Sequence, residues 1–322
     1  MTAQTDLYIK LIEQSLNEFP IPSEPNSLYD PIRYFLNLPG KRIRPVLVLF
    51  SLQLFRKPDL ADAHAALSTE LFHNFSLVHD DMMDKANLRR GFETVHKRWN
   101  EETALLAGDA LLIFAYDALI AAKTSQLPEL IHSFNRMARA VCEGQQLDMD
   151  YSKTDRVSLD AYQDMIDRKT GALIAFSFEM GGFLGDADEK DRGALHDFGA
   201  AMGRCFQLRD DYLDLFGNVG KTGKARGGDI ANCKLTYPIL TSLYQDDNLD
   251  FVEIWQSNPK QDMDRIIRAL NWMEARNIPD RIEEKIESEM AFGLQKLKSL
   301  KGDPEAKSQI ESLCKVLAYR EK

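Results

Sequence analysis

An all-α fold is predicted by three observations. Apolar residues recur at helical spacing through almost all of the 322 residues. Runs of alternating apolar and polar residues are scarce, and no hairpin signal stands out. No low-complexity linker divides the chain, so residues 1–322 are expected to form one helical domain.

The elements follow in order. Leu7–Phe19 reads as an amphipathic helix stopped by Pro20 and Pro22. Pro45–Leu54 is an apolar helix after a Pro39-Gly40 turn, with proline at its start. Ala61–Lys85 is one long helical pattern, and Leu88-Arg89-Arg90-Gly91 reads as its basic end and glycine stop. Thr103–Lys123 is nearly all apolar and is expected to be buried on both sides, with Asp109 as a buried hydrogen-bonding residue. Leu127–Met149, Leu159–Leu184 and Asp191–Phe216 are further helices. Gly217–Asp229 is the clear loop, with glycine at five positions and Lys221, Lys224 and Arg226 among them. Shorter, more polar helices run from Lys234 to Tyr319.

Composition narrows the function classes. A hydrophobic content of 44% and a charged content of 28% are those of a globular protein. The net charge of −10 argues against a nucleic-acid partner held by bulk electrostatics. Any anionic ligand must be recruited by local basic groups or bridging metals. Cys142, Cys205, Cys233 and Cys314 lack CxxC spacing, so neither a zinc site nor a disulfide framework is expected, and the setting is a reducing cytoplasm. The first residues carry no signal-peptide pattern. Thr103–Ala122, the longest apolar stretch, is interrupted by Asp109 and Asp117, so no transmembrane segment is expected.

The chemistry is carried by a doubled motif. Asp-Asp-x-x-Asp occurs at Asp80–Asp84 and again at Asp210–Asp214. Within each copy the first and last acids lie one turn apart on the same helical face. Like charges at that spacing destabilise an isolated helix, and hard divalent cations with oxygen ligands are the natural compensation. A solvated acidic face is the plain alternative for either motif alone.

Basic groups surround these acids. Gly40-Lys41-Arg42-Ile43-Arg44-Pro45 lies at a loop–helix junction, and Arg89-Arg90 follows the first motif. Guanidinium and ammonium groups suit phosphate oxygens. The Gly-Lys-Thr of the 217–229 loop is not a nucleotide-binding P-loop: Leu215 stands where its first glycine belongs, and a helical pattern precedes it. Metals on one side, cations on the other and apolar helical walls point to a diphosphate attached to a hydrocarbon.

These residues resemble a known family. Leu77-Val78-His79-Asp80-Asp81-Met82-Met83-Asp84 with Leu88-Arg89-Arg90-Gly91 is similar to the first aspartate-rich motif of trans-isoprenyl diphosphate synthases, and Phe206–Asp214 resembles their second. The resemblance extends to Gly40–Pro45, Gly108–Leu112, Gly144-Gln145, Lys169-Thr170-Gly171, Gly223-Lys224 with Asp229, and Lys234–Pro238. It implies an isoprenoid-synthase-type helical bundle around a deep central cavity, and a prenyltransferase that joins isopentenyl diphosphate to an allylic diphosphate. It implies magnesium, three ions per active site, held by Asp80, Asp84 and Asp210, with Asp81 and Asp214 as second ligands or acting through water. It places isopentenyl diphosphate on Gly40, Lys41, Arg44 and Arg90 with His73 assisting. Arg89, Lys169, Lys224 and Lys234 fall on the allylic diphosphate, and Thr170 and Gln207 face the carbocation. His73 read from its own apolar helix is equally a core histidine, and His79 is structural. The resemblance also places the Thr103–Lys123 helix at a homodimer interface.

Product length is the finer question. Phe75, five residues before Asp80, resembles the aromatic that blocks chain growth in C15 and C20 enzymes. On an ideal wheel Ser76 lies about 40° from the Asp80 direction, Phe72 about 80° and Phe75 about 140°. Phe75 therefore needs a kinked or rotated helix to form a floor. The reading is geranylgeranyl (C20) diphosphate, with farnesyl (C15) or longer products as alternatives. A class I terpene cyclase, a non-catalytic subunit of a heteromeric synthase and a simple metal-binding helical protein are the rival classes. Arg320 and Lys322, at a polar terminus, are expected to be solvated.

Overall fold

A computed structural model describes residues 3–154, 156–217, 226–257 and 263–320. The described residues form helices throughout apart from one small hairpin. In order they are α1 (Ala3–Glu18), α2 (Asn26–Leu36), α3 (Ile43–Leu52), α4 (Leu60–Met83), β1 (Leu88–Arg89), β2 (Phe92–Glu93), α5 (Val95–Arg98), α6 (Glu101–Ile120) and α7 (Leu127–Tyr151). There follow α8 (Leu159–Ile166), a π-helical turn (Asp167–Gly171), α9 (Ala172–Leu184), α10 (Glu189–Phe216), α11 (Gly228–Ala231), α12 (Tyr237–Leu243), α13 (Leu249–Gln256), α14 (Met263–Ala275), α15 (Ile278–Ser299) and α16 (Pro304–Ala318). The chain divides into two compact units.

The first unit holds residues 1–134, 177–193 and 301–306. Its centre is α4, which packs on α6, α1 and α3. A reciprocal capping box starts α4: Asp59 accepts from the Asp62 amide at 3.0 Å, and Asp62 accepts from the Asp59 amide at 2.9 Å. Arg56 clamps both Asp62 oxygens at 2.6 and 2.7 Å, so the buried carboxylate is paired. α6 approaches α4 closely where Gly108 meets His79; a β-carbon there would lie 2.2 Å from His79 Nε2. His79 Nε2 also pairs with the Leu105 carbonyl at 3.0 Å, which makes His79 the structural residue expected.

The second unit holds residues 135–176, 194–300 and 307–322. Here α12 packs on α8 and α15, and α14 packs on α13 and α15. Val157, Tyr162, Met165, Ile166 and Leu240 form a buried apolar cluster.

Four expectations change. Residues 159–184 are not one uniform helix: a π turn over Asp167–Gly171 interrupts it. That turn carries Lys169 and Thr170. Leu88–Gly91 is no plain helix end but half of a hairpin pairing Leu88 with Glu93 and Arg89 with Phe92. Its turn residues Arg90 and Gly91 have φ of +55° and +85°, the positive values that a two-residue hairpin turn needs. α6 is buried on one side only. Leu105, Leu106, Ile113 and Ile120 are exposed, and Asp109 with them, because the apolar residues run round the whole helix while α4 and α2 cover part of it. Length and composition alone would let α6 cross a membrane, a test that the core helix of a soluble protein also passes.

Close packing in the first unit rests on Gly181 of α9. A β-carbon there would lie 1.9 Å from Ser51 Oγ and 2.5 Å from the Val48 carbonyl on α3. Backbone cannot yield as a side chain can. Gly181→Ala is expected to cost about 3 kcal/mol of stability, read as a lowered urea midpoint with unchanged m-value.

Candidate active site

The first acidic motif sits at the C-terminal end of α4, where the helix frees its last carbonyls and Asp84 becomes the C-cap. Asp80 is half-buried and Asp84 exposed, one turn apart as expected. Asp81 points the other way. It is 1% exposed, and its Oδ1 accepts from Arg89 Nε at 2.9 Å and Arg89 Nη2 at 2.5 Å. Burial raises the Asp81 carboxyl above the ordinary carboxylate range, and Arg89 offsets this only in part. The hairpin is what returns Arg89 to α4. Arg89 was expected on an allylic diphosphate; in the structure its nearest anion is Asp81.

The basic loop lies in the same unit. Gly40 admits the guanidinium of Arg90, since a β-carbon would come within 2.7 Å of its Nη1. Arg42, in the left-handed region at φ +47°, is consumed internally: it donates to Glu70 Oε1 at 2.7 Å and to the Leu36 carbonyl at 2.6 Å. Lys41 is exposed and Arg44 half-buried. His73 is half-buried among these groups. Burial, then Arg44, Arg90, Arg89 and Arg42, push it well below its ordinary range, so it is a neutral imidazole at pH 7. Three of the residues expected to bind isopentenyl diphosphate, Arg44, Arg90 and His73, therefore share one electropositive neighbourhood.

An aromatic line runs along α4 before this motif. The Phe75 ring meets His79 at 4.9 Å and Phe72 at 5.3 Å, and Phe72 meets Phe134 at 5.5 Å. Phe72 is fully buried, whereas Phe75 and Ser76 are half-buried, with Ser76 Oγ donating to the His73 carbonyl at 2.8 Å.

The second unit builds its own cluster. α7 meets the π turn at Gly144, where a β-carbon would be 2.3 Å from the Lys169 amide nitrogen, and α10 meets it at Gly203, 2.6 Å from Gly171. The Gly-Gln pair noted in the sequence thus has a packing reason. Lys169 donates to Asp148 at 2.5 Å, and Thr170 Oγ1 donates to Gln207 Oε1 at 3.0 Å. Gln207 Nε2 in turn donates to Asp211 at 3.0 Å.

Asp211 is 3% exposed and accepts from the Tyr162 hydroxyl at 2.5 Å and the Tyr237 amide at 3.3 Å. Burial pushes its carboxyl up to about 6. Burial and Asp211 together hold the Tyr162 phenol well above its ordinary range, so it stays a donor. Asp210 is exposed, and Asp214 accepts from the Asp229 amide at 2.8 Å. Asp229 was not singled out as a site residue. Burial, with Asp214 and Asp211 beside it, pushes its carboxyl up to about 8; its sequence signals were the Gly-Gly-Asp closing the loop and its place in the resemblance after Gly223-Lys224.

The C-terminus corrects an expectation. Arg320 is not solvated; its side chain is 14% exposed, it pairs with Asp210, and its guanidinium lies 3.9 Å over the Phe206 ring. The cause is Arg209, which binds Glu283 at 2.6 and 2.8 Å and the Ala318 carbonyl at 2.6 Å, and so anchors the chain end beside the second motif. Lys224, Lys221 and Lys322 lie outside the described residues. Lys234 is exposed, three residues after the end of α11.

Among the described residues no group of three or more His, Cys, Asp or Glu forms a metal cage. Magnesium does not require one: it keeps several waters and binds through one or two carboxylates plus substrate phosphates. Asp80 with Asp84, and Asp210 with Asp214, are donor sets of that kind.

Residues 25–273 match the family described as polyprenyl synthetase. The chain is 38% identical over 235 residues to a geranylgeranyl pyrophosphate synthase of Geoglobus acetivorans, covering 72% of this chain and 73% of that one. It is 37% identical over 248 residues to a farnesyl diphosphate synthase of Bacillus subtilis, covering 73% and 82%. A crystal structure of a geranylgeranyl pyrophosphate synthase superposes with a TM-score of 0.93 at 36% identity over 100% of both chains.

The Arg42–Glu70 pair gives a direct test of what supports the basic loop. Arg42→Met leaves the buried Glu70 without its cation, and is expected to cost about 3–5 kcal/mol. Adding Glu70→Met should restore most of that loss, as measured by urea unfolding of both variants.

Proposed function

This chain belongs to the polyprenyl synthetase family, and from that premise we propose that it joins isopentenyl diphosphate to an allylic diphosphate to give geranylgeranyl diphosphate. The observation that carries the reading is the pair of intact aspartate-rich motifs, each with basic side chains in its own unit. The enzyme is a prenyltransferase, and the whole of residues 1–322 serves it. The names of the relatives support the C20 product over the C15 product.

Asp80 and Asp84, and Asp210 with Asp214, would hold magnesium. Bound there, the metal would neutralise charge developing on the departing diphosphate. Lys169 adds a cation for the same group, as do Arg89, Lys224 and Lys234. Asp81 acts through Arg89, holding its guanidinium in place. Lys41, Arg44 and Arg90 take the diphosphate of isopentenyl diphosphate, and the neutral His73 supplies a hydrogen-bonding group without further charge. Thr170 and Gln207 present oxygens to the allylic cation. Apolar side chains exclude water, which would otherwise trap that cation. The proton lost on condensation leaves with the diphosphate, so no side-chain nucleophile is needed.

A class I terpene cyclase is disfavoured by Asp210-Asp211-x-x-Asp214 and by a basic loop that a single-diphosphate substrate would not use. The exposed line of Leu106, Ile113 and Ile120, at seven-residue spacing on α6, supports the homodimer.

Three measurements test the reading. Asp80→Ala and Asp210→Ala should each lower turnover of isopentenyl and allylic diphosphates by about a thousandfold or more; wild-type activity in either would remove the two-motif metal site. Phe75→Ala should shift products beyond C20 when they are separated by chain length, and an unchanged profile would end its role as the floor. Ile113→Lys should convert the sedimenting species from dimer to monomer.

A further inference from the structure

We propose that Tyr162 is a positioning residue: through Asp211 it fixes the Gln207 amide so that Thr170 must present lone pairs, not a proton, to the forming allylic cation. The proposal rests on the reading of Thr170 and Gln207 given above.

Two groups here are ambiguous by nature. A glutamine amide can turn either end toward a neighbour, and a threonine hydroxyl can donate or accept. Near a carbocation the difference matters, because an oxygen lone pair attracts the cation and a hydroxyl proton repels it.

The chain of hydrogen bonds removes both ambiguities. Asp211 accepts at both of its oxygens, Oδ2 from Tyr162 and the Tyr237 amide and Oδ1 from Gln207 Nε2 at 3.0 Å. The amide nitrogen must therefore face Asp211. Gln207 Oε1 is left at the other end, 3.0 Å from Thr170 Oγ1, and it too can only accept. Thr170 has to donate there. Its proton is then committed, and what remains on its oxygen is acceptor capacity.

Asp211 needs holding in turn. Its other oxygen takes the Tyr162 hydroxyl at 2.5 Å and the Tyr237 amide at 3.3 Å. Tyr162 is 3% exposed and packs among Val157, Met165, Ile166 and Leu240. For packing alone that apolar cluster would accept phenylalanine. The hydroxyl is there for Asp211, and removing it frees the carboxylate to rotate and the amide to turn.

A double-mutant cycle on purified enzyme tests this. Tyr162→Phe should lower kcat about tenfold, the loss expected for one buried hydrogen bond, with KM for both diphosphates and the half-saturating magnesium concentration within about twofold of wild type. In a Gln207→Leu background, where no amide remains to be oriented, the same substitution should cost less than about twofold. Equal losses in the two backgrounds, or a loss confined to KM, would overturn the relay. Should Tyr162→Phe fail to fold, Asp211→Asn takes its place in the cycle, because its amide would turn a donor toward Gln207. An active wild type with additive losses defeats this proposal alone. A wild type that makes no prenyl diphosphate defeats the function proposed above, and the relay with it.

Discussion

Negative charge concentrated on one helical turn has to be neutralised, and both aspartate-rich motifs do so in the same way. In Asp-Asp-x-x-Asp the first and fifth positions share a face, while the second is turned by about 100° toward the helix's packed side. The second acid is therefore the buried one in each copy. Asp81 is buried against Arg89, and Asp211 against Tyr162, Gln207 and the Tyr237 amide. The outer acids stay at or near the surface, one turn apart. Each motif thus contains its own support: one carboxylate is buried and holds the local structure, and the other two lie on a separate face.

The rest of the local architecture serves these buried acids. The hairpin exists to bring Arg89 back beside Asp81, and it can turn in two residues because Arg90 and Gly91 accept positive φ. In the second unit, Gly144 and Gly203 let α7 and α10 reach the backbone of the π turn, and that turn sets Thr170 against Gln207. A π turn adds a residue to the helical register, which shifts Lys169 and Thr170 off the face a regular helix would give them. Arg42 illustrates the cost of such support. It belongs to the basic loop beside Lys41 and Arg44, and the structure spends it on a buried glutamate and a helix-end carbonyl.

Much of this was legible in the chain. The α4 and α10 helices ended within a residue or two of expectation, because periodicity and proline, glycine and capping signals are local. The hairpin was missed because four strand residues are too few to show alternation, although Arg90-Gly91 was its available signal. The π turn left no trace, since Asp167–Gly171 has ordinary helical composition. Asp109 looked buried because its neighbours in sequence are apolar, but burial depends on which side another helix covers. Arg320 looked solvated because its sequence surroundings are polar. What placed it was Arg209, more than a hundred residues away.

The sequence by itself determined the helical class, the paired acids at one-turn spacing and the residue types able to meet a diphosphate. These follow from periodicity and side-chain chemistry, both written within a few residues of one another. Only the tertiary structure decided which charges are buried against partners and which lie nearer the surface: Arg42, Asp81 and Asp211 are buried, while Asp80, Asp84, Asp210 and Asp214 are half-buried or exposed. The reason is physical. A charge becomes structural when a partner from a distant segment neutralises it out of water, and that partner's position is set by packing, which no local pattern encodes.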